Sequence, residues 1–169
     1  KWPAESTTLK NKFKSMNNII DTSVKEVQKL SIQLRPKMLD ELGLLETMQL
    51  EADQFEERTG IYCNVEFSPE EFEVEHERSS TIYRVLMELL TNVYRHAKAT
   101  KVNIQLKRQK NAYMLTFSDN GTGIKKEQIE SKLSFGLISI TERVKIWDGS
   151  VKISGKENKG TMINVIIPF

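Results

Sequence analysis

An apolar, alternating run over residues 112–118 ends abruptly in Asp119-Asn120-Gly121-Thr122-Gly123, and this junction constrains the fold more than any other feature. The alternation predicts a half-buried β-strand. The two glycines allow positive φ and close approach of the backbone to a ligand, and Asp119 offers an acceptor for the exocyclic amine of adenine. Because Asn and Gly also favour ordinary turns, the segment alone does not separate a purine pocket from a simple turn.

Residues 77–97 have the periodicity of a helix. Its apolar stripe consists of Val85, Leu86, Leu89, Leu90 and Val93. Glu88 and Asn92 are four residues apart, so they lie one turn apart on another face. The Asn92 amide oxygen suits Mg²⁺, and Glu88 could orient a metal-bound water or accept a proton. Each residue taken singly is also typical of a solvated helix surface.

Further helix and strand patterns surround these two segments. Helices are predicted at 39–58, 77–97 and 135–147, and strands at 62–67, 101–107, 112–118, 150–154 and 161–167. The turn 109–111 predicts a hairpin. Gly136 lies near the start of the helix at 135–147, whose exposed N–H groups suit phosphates, and Lys98, Lys125 and Lys126 add positive charge. The order predicts an α+β fold, a two-layer α/β sandwich with antiparallel strands.

A long helix is predicted over residues 5–35, which contain neither Gly nor Pro, and Pro36 ends it. Its seven-residue apolar repeat consists of Phe13, Met16, Ile20, Val27, Leu30 and Leu34, with Ser23 as the polar exception. At roughly 30 residues the helix is longer than an ordinary domain helix. This favours a bundle or a dimer over a core helix of the same domain.

Composition limits the other classes of function. The net charge of +2 over 169 residues does not favour nucleic-acid binding. A single cysteine, Cys63, excludes an internal disulfide. No run approaches the roughly 18 apolar residues of a membrane span, so a cytoplasmic location is expected. The chain opens at Lys1 without an initiator Met, and we expect it to be a segment of a longer protein.

Taken together, four motifs resemble the catalytic end of a sensor histidine kinase with the Bergerat-type ATP-binding fold. Residues 88–99 resemble the N box, 119–123 the first glycine box, 135–143 the second, and 160–161 the last. The resemblance implies a mixed, largely antiparallel sheet preceded by a long helix. Residues 34–44 are similar to the junction between the dimerisation helices and the catalytic domain in the nitrate/nitrite-sensor subfamily. This implies a partial dimerisation helix at 1–36 and an ATP-binding catalytic domain at 37–169.

The resemblance also implies roles for particular residues. Glu88 and Asn92 are the catalytic candidates, and Asn92 is the Mg²⁺ ligand. The candidates for binding ATP are Asn92, Arg95, His96, Asp119, Gly121, Gly123, Gly136, Leu137, Gly160 and Thr161. Mg-ATP would lie between the N-box helix and residues 123–135. The dimeric parent would transfer the γ-phosphate to its own histidine and then to the receiver domain of a response regulator. Any anchor of the parent in a bacterial or archaeal inner membrane would lie outside this segment.

Two departures from the family pattern limit these expectations. Ser139 stands where the second glycine box usually has another glycine. No histidine precedes Leu34, and the only two, His76 and His96, do not match the phosphate acceptor. We therefore expect ATP binding without autophosphorylation. Two alternatives remain: an anti-sigma-type serine kinase, and a non-catalytic interaction module that has lost ATP binding.

Overall fold

The computed structural model describes residues 37–124 and 135–169, together with Phe13, Met16, Asn17 and Ile20, which are helical. The chain divides into two compact units, Lys1–Pro36 and Lys37–Phe169. The remainder of the predicted helix over 5–35, and the part of the glycine-rich loop at 125–134, lie outside the described residues.

The second unit contains four α-helices and five strands in its described part. In chain order these are α1 (Lys37–Glu41), α2 (Leu44–Thr59), β1 (Tyr62–Ser68), α3 (His76–Asn92), β2 (Lys101–Arg108), β3 (Ala112–Asp119), α4 (Phe135–Lys145), β4 (Ser150–Gly155) and β5 (Thr161–Pro168). The strand order is β1-β2-β3-β5-β4. Only β1 and β2 are parallel; the other neighbours are antiparallel. The predicted α+β fold with a mixed, largely antiparallel sheet is therefore confirmed.

Alternation along the central strands produces the buried face of the sheet. The alternate residues Val102, Ile104 and Leu106 of β2, Tyr113, Leu115 and Phe117 of β3, and Ile163, Val165 and Ile167 of β5 are buried. They join one apolar core with the stripe of α3 and with residues of α2 and α4. Because side chains in a strand alternate between the two faces, the intervening residues lie on the opposite face.

The helix predicted over residues 39–58 is divided by Gly43. This residue has φ 81°, a conformation that favours glycine, and it separates α1 from α2. The Thr47 hydroxyl donates to the Gly43 carbonyl oxygen at 2.6 Å. At the other end, the predicted stop at Gly60 is observed: Gly60 has φ 71° and its N–H donates to the Glu56 carbonyl.

Within the described residues, no helix combines the length and the apolar character that crossing a membrane requires.

Cys63 is expected to be a poorly reactive thiol. Burial first, and then the carboxylates of Glu56 and Asp53, raise the pKa of Cys63 to about 11. Because the thiolate is the reactive form, the native thiol should alkylate about 100-fold more slowly at pH 8 than the unfolded chain, and its rate should still be rising above pH 10. Iodoacetamide labelling followed by intact-mass spectrometry measures this directly, since the chain has one cysteine. Equal rates in native buffer and in urea would contradict the prediction.

Candidate functional site

A cleft of about 730 Å³ opens at the end of the sheet beside α3 and the first turn of α4. Its lining comes from α3, the ends of β3 and β5, and the loops that follow β3 and β4. All the predicted site residues line it except Gly121 and Gly160. Segments that are distant in sequence therefore meet at one concave site.

The periodicity predicted one continuous α-helix over residues 77–97, but the structure departs from an α-helix at the end of this segment. Regular α-helix ends at Asn92, and Val93–Ala97 forms a π-helical turn. Lys98 then ends the turn with φ 51°. Such turns are frequent at functional sites because they change the direction of the side chains that follow. Here Arg95 and His96 are exposed and line the cleft.

The Asn92 amide carries a buried polar atom that the described residues leave unpaired. Its Nδ2 atom is buried and has no hydrogen-bond partner among the described residues. Buried polar atoms are almost always paired, so this N–H donor calls for an acceptor, such as a phosphate oxygen, beyond the described residues. The second residue of α4, Gly136, lies directly against it: a Cβ at Gly136 would overlap Glu88 Oε1 and lie 3.3 Å from both terminal atoms of Asn92.

These residues fit a hydrated Mg²⁺ with phosphate oxygens. A neutral amide oxygen and one carboxylate leave coordination positions for phosphate and water, as is usual for Mg²⁺. The described residues contain no group of three or more His, Cys, Asp or Glu that could hold a metal ion alone. A metal at Asn92 would therefore depend on oxygens from its nucleotide and from water.

Asp119 occupies the end of β3 on the cleft side. Its Oδ1 accepts a hydrogen bond from the Gly121 N–H at 2.8 Å, which fixes the carboxylate relative to the loop. The neighbouring Asn120 has a structural role, because its Oδ1 accepts from the N–H groups of Thr100 and Lys101, each at 2.9 Å. The register of β3 against β2, which pairs Asp119 with Val102, brings Asn120 beside residues 100 and 101.

Gly121 and Gly160 support the loop from behind the cleft. A Cβ at Gly121 would overlap the Ala97 carbonyl oxygen, and one at Gly160 would overlap the Asp119 carbonyl oxygen. The Gly160 N–H donates to the Gly121 carbonyl at 2.8 Å. Gly123 lines the cleft, has φ 76°, and lies against the Lys156 carbonyl. The close approach that these glycines permit is therefore to other parts of the backbone.

Sequence reasoning did not identify the apolar part of the cleft. Leu89, Val93, Phe117, Ile124 and Ile163 line it, with polar groups from Thr122, Glu157 and Asn158. The apolar residues were indistinguishable from core residues by periodicity. One signal in the sequence did indicate that Phe117 faces the cleft: residues 117 and 119 are two apart on one strand, so Phe117 shares a face with Asp119. Apolar walls with a few fixed polar groups are typical of small-molecule sites.

Comparison with known proteins shows which protein family this chain belongs to. Residues 77–169 match the family described as histidine kinase-, DNA gyrase B-, and HSP90-like ATPase. The chain belongs to this ATPase family. The match begins at α3 and includes the whole described cleft, so the site lies within the family domain.

Two curated relatives narrow the comparison to histidine kinases. The chain is 34% identical over 164 residues to the signal transduction histidine-protein kinase/phosphatase DegS of Brevibacillus brevis, covering 93% of this chain and 40% of that protein. It is 31% identical over 171 residues to the oxygen sensor histidine kinase NreB of Staphylococcus carnosus, covering 100% and 49%. The chain thus spans less than half the length of either relative. The predicted histidine-kinase type of ATP-binding catalytic domain is confirmed.

Solved structures agree on the fold. The Erythrobacter litoralis EL346 blue-light activated histidine kinase domain aligns with a TM-score of 0.61 and 21% identity, over 74% of this chain and 60% of that one. The Acinetobacter baumannii histidine kinase AdeS aligns with a TM-score of 0.62 and 15% identity, over 92% and 83%. At these identities the likeness shows the fold alone.

Proposed function

We propose that this ATPase-family domain binds ATP with Mg²⁺ and serves as the catalytic domain of a two-component sensor kinase. The observation that carries the proposal is the buried Asn92 amide, whose Nδ2 has no hydrogen-bond partner among the described residues, in a cleft that Glu88 and Asp119 also line. An amide, two carboxylates and apolar walls match the chemistry of a purine nucleotide with its metal.

Each residue of the cleft then has a role. Asn92 would hold Mg²⁺, which when bound neutralises phosphate charge. Asp119 would accept the adenine amine, and Gly136 and Leu137 at the first turn of α4 would present backbone N–H groups to phosphates. Arg95 would supply positive charge and His96 a ring nitrogen beside the nucleotide, since both line the cleft.

The other predicted site residues fall into two groups, those that line the cleft and those that do not. Gly123 and Thr161 line the cleft and would lie beside the nucleotide. Gly121 and Gly160 would act indirectly, because each permits a backbone contact that fixes the loop carrying Asp119. Glu88 remains the candidate for orienting a metal-bound water or accepting a proton.

For the whole protein we propose a cytoplasmic kinase portion that dimerises through residues 1–36, with 37–169 as the catalytic domain. Support comes from the seam residues Phe13, Met16 and Ile20, which are helical and 59%, 55% and 55% exposed. An apolar seam of this exposure would be buried in a dimer. The phosphate would pass to a histidine outside this chain and then to a response regulator receiver domain, and any membrane anchor would also lie outside it.

The finer placement in the nitrate/nitrite-sensor subfamily stays part of the proposal. Its support is the residue pattern of 34–44, of which 37–44 are described; within that part Leu39 and Leu44 are buried in the core. Residues 37–44, the second part of this segment, therefore belong to the unit Lys37–Phe169.

Titration calorimetry with a non-hydrolysable ATP analogue and Mg²⁺ tests the proposal. We expect saturable binding at one site per chain, and binding of the GTP analogue weaker by at least about tenfold, because guanine carries a carbonyl where adenine has its amine. With labelled ATP, no phosphohistidine should form until the parent's histidine segment is added. Failure of the wild-type chain to bind would overturn the proposal in favour of a non-catalytic interaction module.

A further inference from the structure

Two backbone segments form one wall of the cleft. The first, residues 122–124, follows β3, and the second is the β4–β5 turn, residues 156–160. Residues 122–124 all line the cleft, as do residues 157–158 of the turn. Asp119, three residues before the first segment, lines the same cleft. This wall therefore includes the group to which the proposed function assigns the adenine amine.

Backbone hydrogen bonds join the two segments. The Asn158 N–H donates to the Thr122 carbonyl at 2.8 Å, and the Gly160 N–H donates to the Gly121 carbonyl at 2.8 Å. On the other side, the Thr122 N–H donates to the Ala97 carbonyl at 2.8 Å. The backbone of Thr122 is thus held from two sides, by the residues that follow α3 and by the β4–β5 turn.

The packing between the two segments is also close. A Cβ at Gly123 would overlap the Lys156 carbonyl oxygen, and a Cβ at Gly155, the last residue of β4, would lie 2.7 Å from Ile124 Cγ2. The two segments are therefore in direct backbone contact. A displacement of the turn must either displace residues 122–124 or break these contacts.

Asn158 has a left-handed backbone conformation, with φ 57°. Glycine adopts this conformation freely, and among the other residues asparagine and aspartate adopt it most readily. A change of φ rotates the chain before residue 158 relative to the chain after it. Because the Asn158 N–H lies before this bond and the Gly160 N–H lies after it, both hydrogen bonds to the first segment require the left-handed conformation.

We propose that Asn158 is a positioning residue for the adenine end of the nucleotide, because its left-handed conformation holds residues 122–124 in place beside Asp119. The connection continues to the carboxylate, since the Gly121 N–H donates to Asp119 Oδ1 at 2.8 Å. The inference rests on the proposed function and deepens it: it adds a residue outside the predicted set, which acts through the backbone of Thr122.

Calorimetry on Asn158→Ala and Asn158→Gly tests the proposal with the non-hydrolysable ATP analogue. Both substitutions remove the side-chain amide, but only glycine adopts the left-handed conformation without strain. We expect Asn158→Ala to bind about threefold to tenfold more weakly than the wild type, because the strain lowers the fraction of chains with an intact wall. Asn158→Gly should bind at least about threefold more tightly than Asn158→Ala.

The preference for the ATP analogue over the GTP analogue separates positioning from a general weakening of binding. Asp119 is the group proposed to accept the adenine amine, so a displaced wall should lower this preference about threefold in Asn158→Ala. The factor by which Mg²⁺ strengthens binding should stay the same, since Asn92 lies on α3. A loss confined to the Mg²⁺ factor would contradict a role at the adenine end.

Asp148 provides the matched control. It is exposed, has φ 53°, and its N–H donates to the Lys145 carbonyl at 3.0 Å, but it does not line the described cleft. Asp148→Ala should therefore lower the midpoint of thermal unfolding relative to Asp148→Gly, while both variants bind the ATP analogue as the wild type does. A purely structural role for Asn158 would give the same result at position 158.

Hydrogen exchange in the nucleotide-free protein measures the two hydrogen bonds directly. In Asn158→Ala, the N–H of residue 158 or that of Gly160 should exchange about threefold to tenfold faster, relative to its intrinsic rate, than in Asn158→Gly. Equal protection of both N–H groups in the two variants, or equal affinities of the two variants for the ATP analogue, would overturn the inference.

The two proposals fail in different ways. If the wild-type chain binds no nucleotide, the proposed function fails and this inference fails with it. If the wild type binds and the two variants at position 158 have the same affinity, only the positioning role fails.

Discussion

Asn92→Ala is expected to remove nearly all of the enhancement that Mg²⁺ gives to nucleotide binding, a loss of about 100-fold in affinity at saturating Mg²⁺. The reason is that the Asn92 amide lies in the cleft with its buried Nδ2 unpaired among the described residues, and alanine offers neither a ligand oxygen nor an N–H donor. The residual affinity should equal that of the wild-type chain measured in EDTA. Calorimetry with the non-hydrolysable ATP analogue provides both values.

Asn64→Ala is the matched control for this experiment. It makes the same chemical change on β1, where the Asn64 amide donates to Glu66 on the exposed surface and does not line the cleft. It should bind as the wild type does. If Asn92→Ala also kept the full Mg²⁺ enhancement, the metal would be held elsewhere and the role proposed for Asn92 would be wrong.

Gly160→Ala should produce the largest loss of stability among glycine substitutions in this domain, about 3 kcal/mol or more. Gly160 has φ 78°, and a Cβ there would overlap the Asp119 carbonyl oxygen. The added methyl group must therefore either displace the end of β3 or break the Gly160-to-Gly121 hydrogen bond. Urea unfolding of the nucleotide-free chain measures the loss of free energy of unfolding.

Gly60→Ala separates conformational strain from overlap. Gly60 has a similar φ of 71°, but a Cβ there would meet no atom within 4 Å. Its substitution should cost only the left-handed backbone strain, about 1–2 kcal/mol. Nucleotide affinity should fall in Gly160→Ala, since Asp119 moves, and stay unchanged in Gly60→Ala. Equal costs for the two substitutions would show that the overlap relaxes freely.

The prediction from sequence succeeded where a pattern was local and repeated. The alternation of β2, β3 and β5 gave their position and their buried face, and the periodicity of α3 placed Glu88 and Asn92 on one face. It was incomplete where a local conformation depends on contacts distant in sequence. Gly43 could have remained inside one helix, and the π-helical turn at Val93–Ala97 has no periodic signal of its own.

The glycine-rich segments show the same contrast between what a local sequence pattern predicts and what depends on distant contacts. Their composition indicated close backbone approach, and the structure shows that Gly121 and Gly160 approach other backbone atoms, at Ala97 and Asp119. Composition cannot identify the partner of a close approach, because the partner comes from another segment of the chain. The apolar walls of the cleft escaped sequence reasoning for a related reason: Phe117 and Ile163 have the same periodicity whether they face a core or a ligand.

The sequence by itself determined the fold class, the family and most of the residues that meet in the cleft, since these depend on side-chain periodicity and on short motifs. Only the tertiary structure decided what each residue does there. It buried the Asn92 Nδ2 with no hydrogen-bond partner in the described part of the chain, placed Gly136 against Glu88, and paired Ser139 with Arg143. Such roles depend on the distances between groups on different elements, and these distances are set when α3, α4 and the sheet pack around one core.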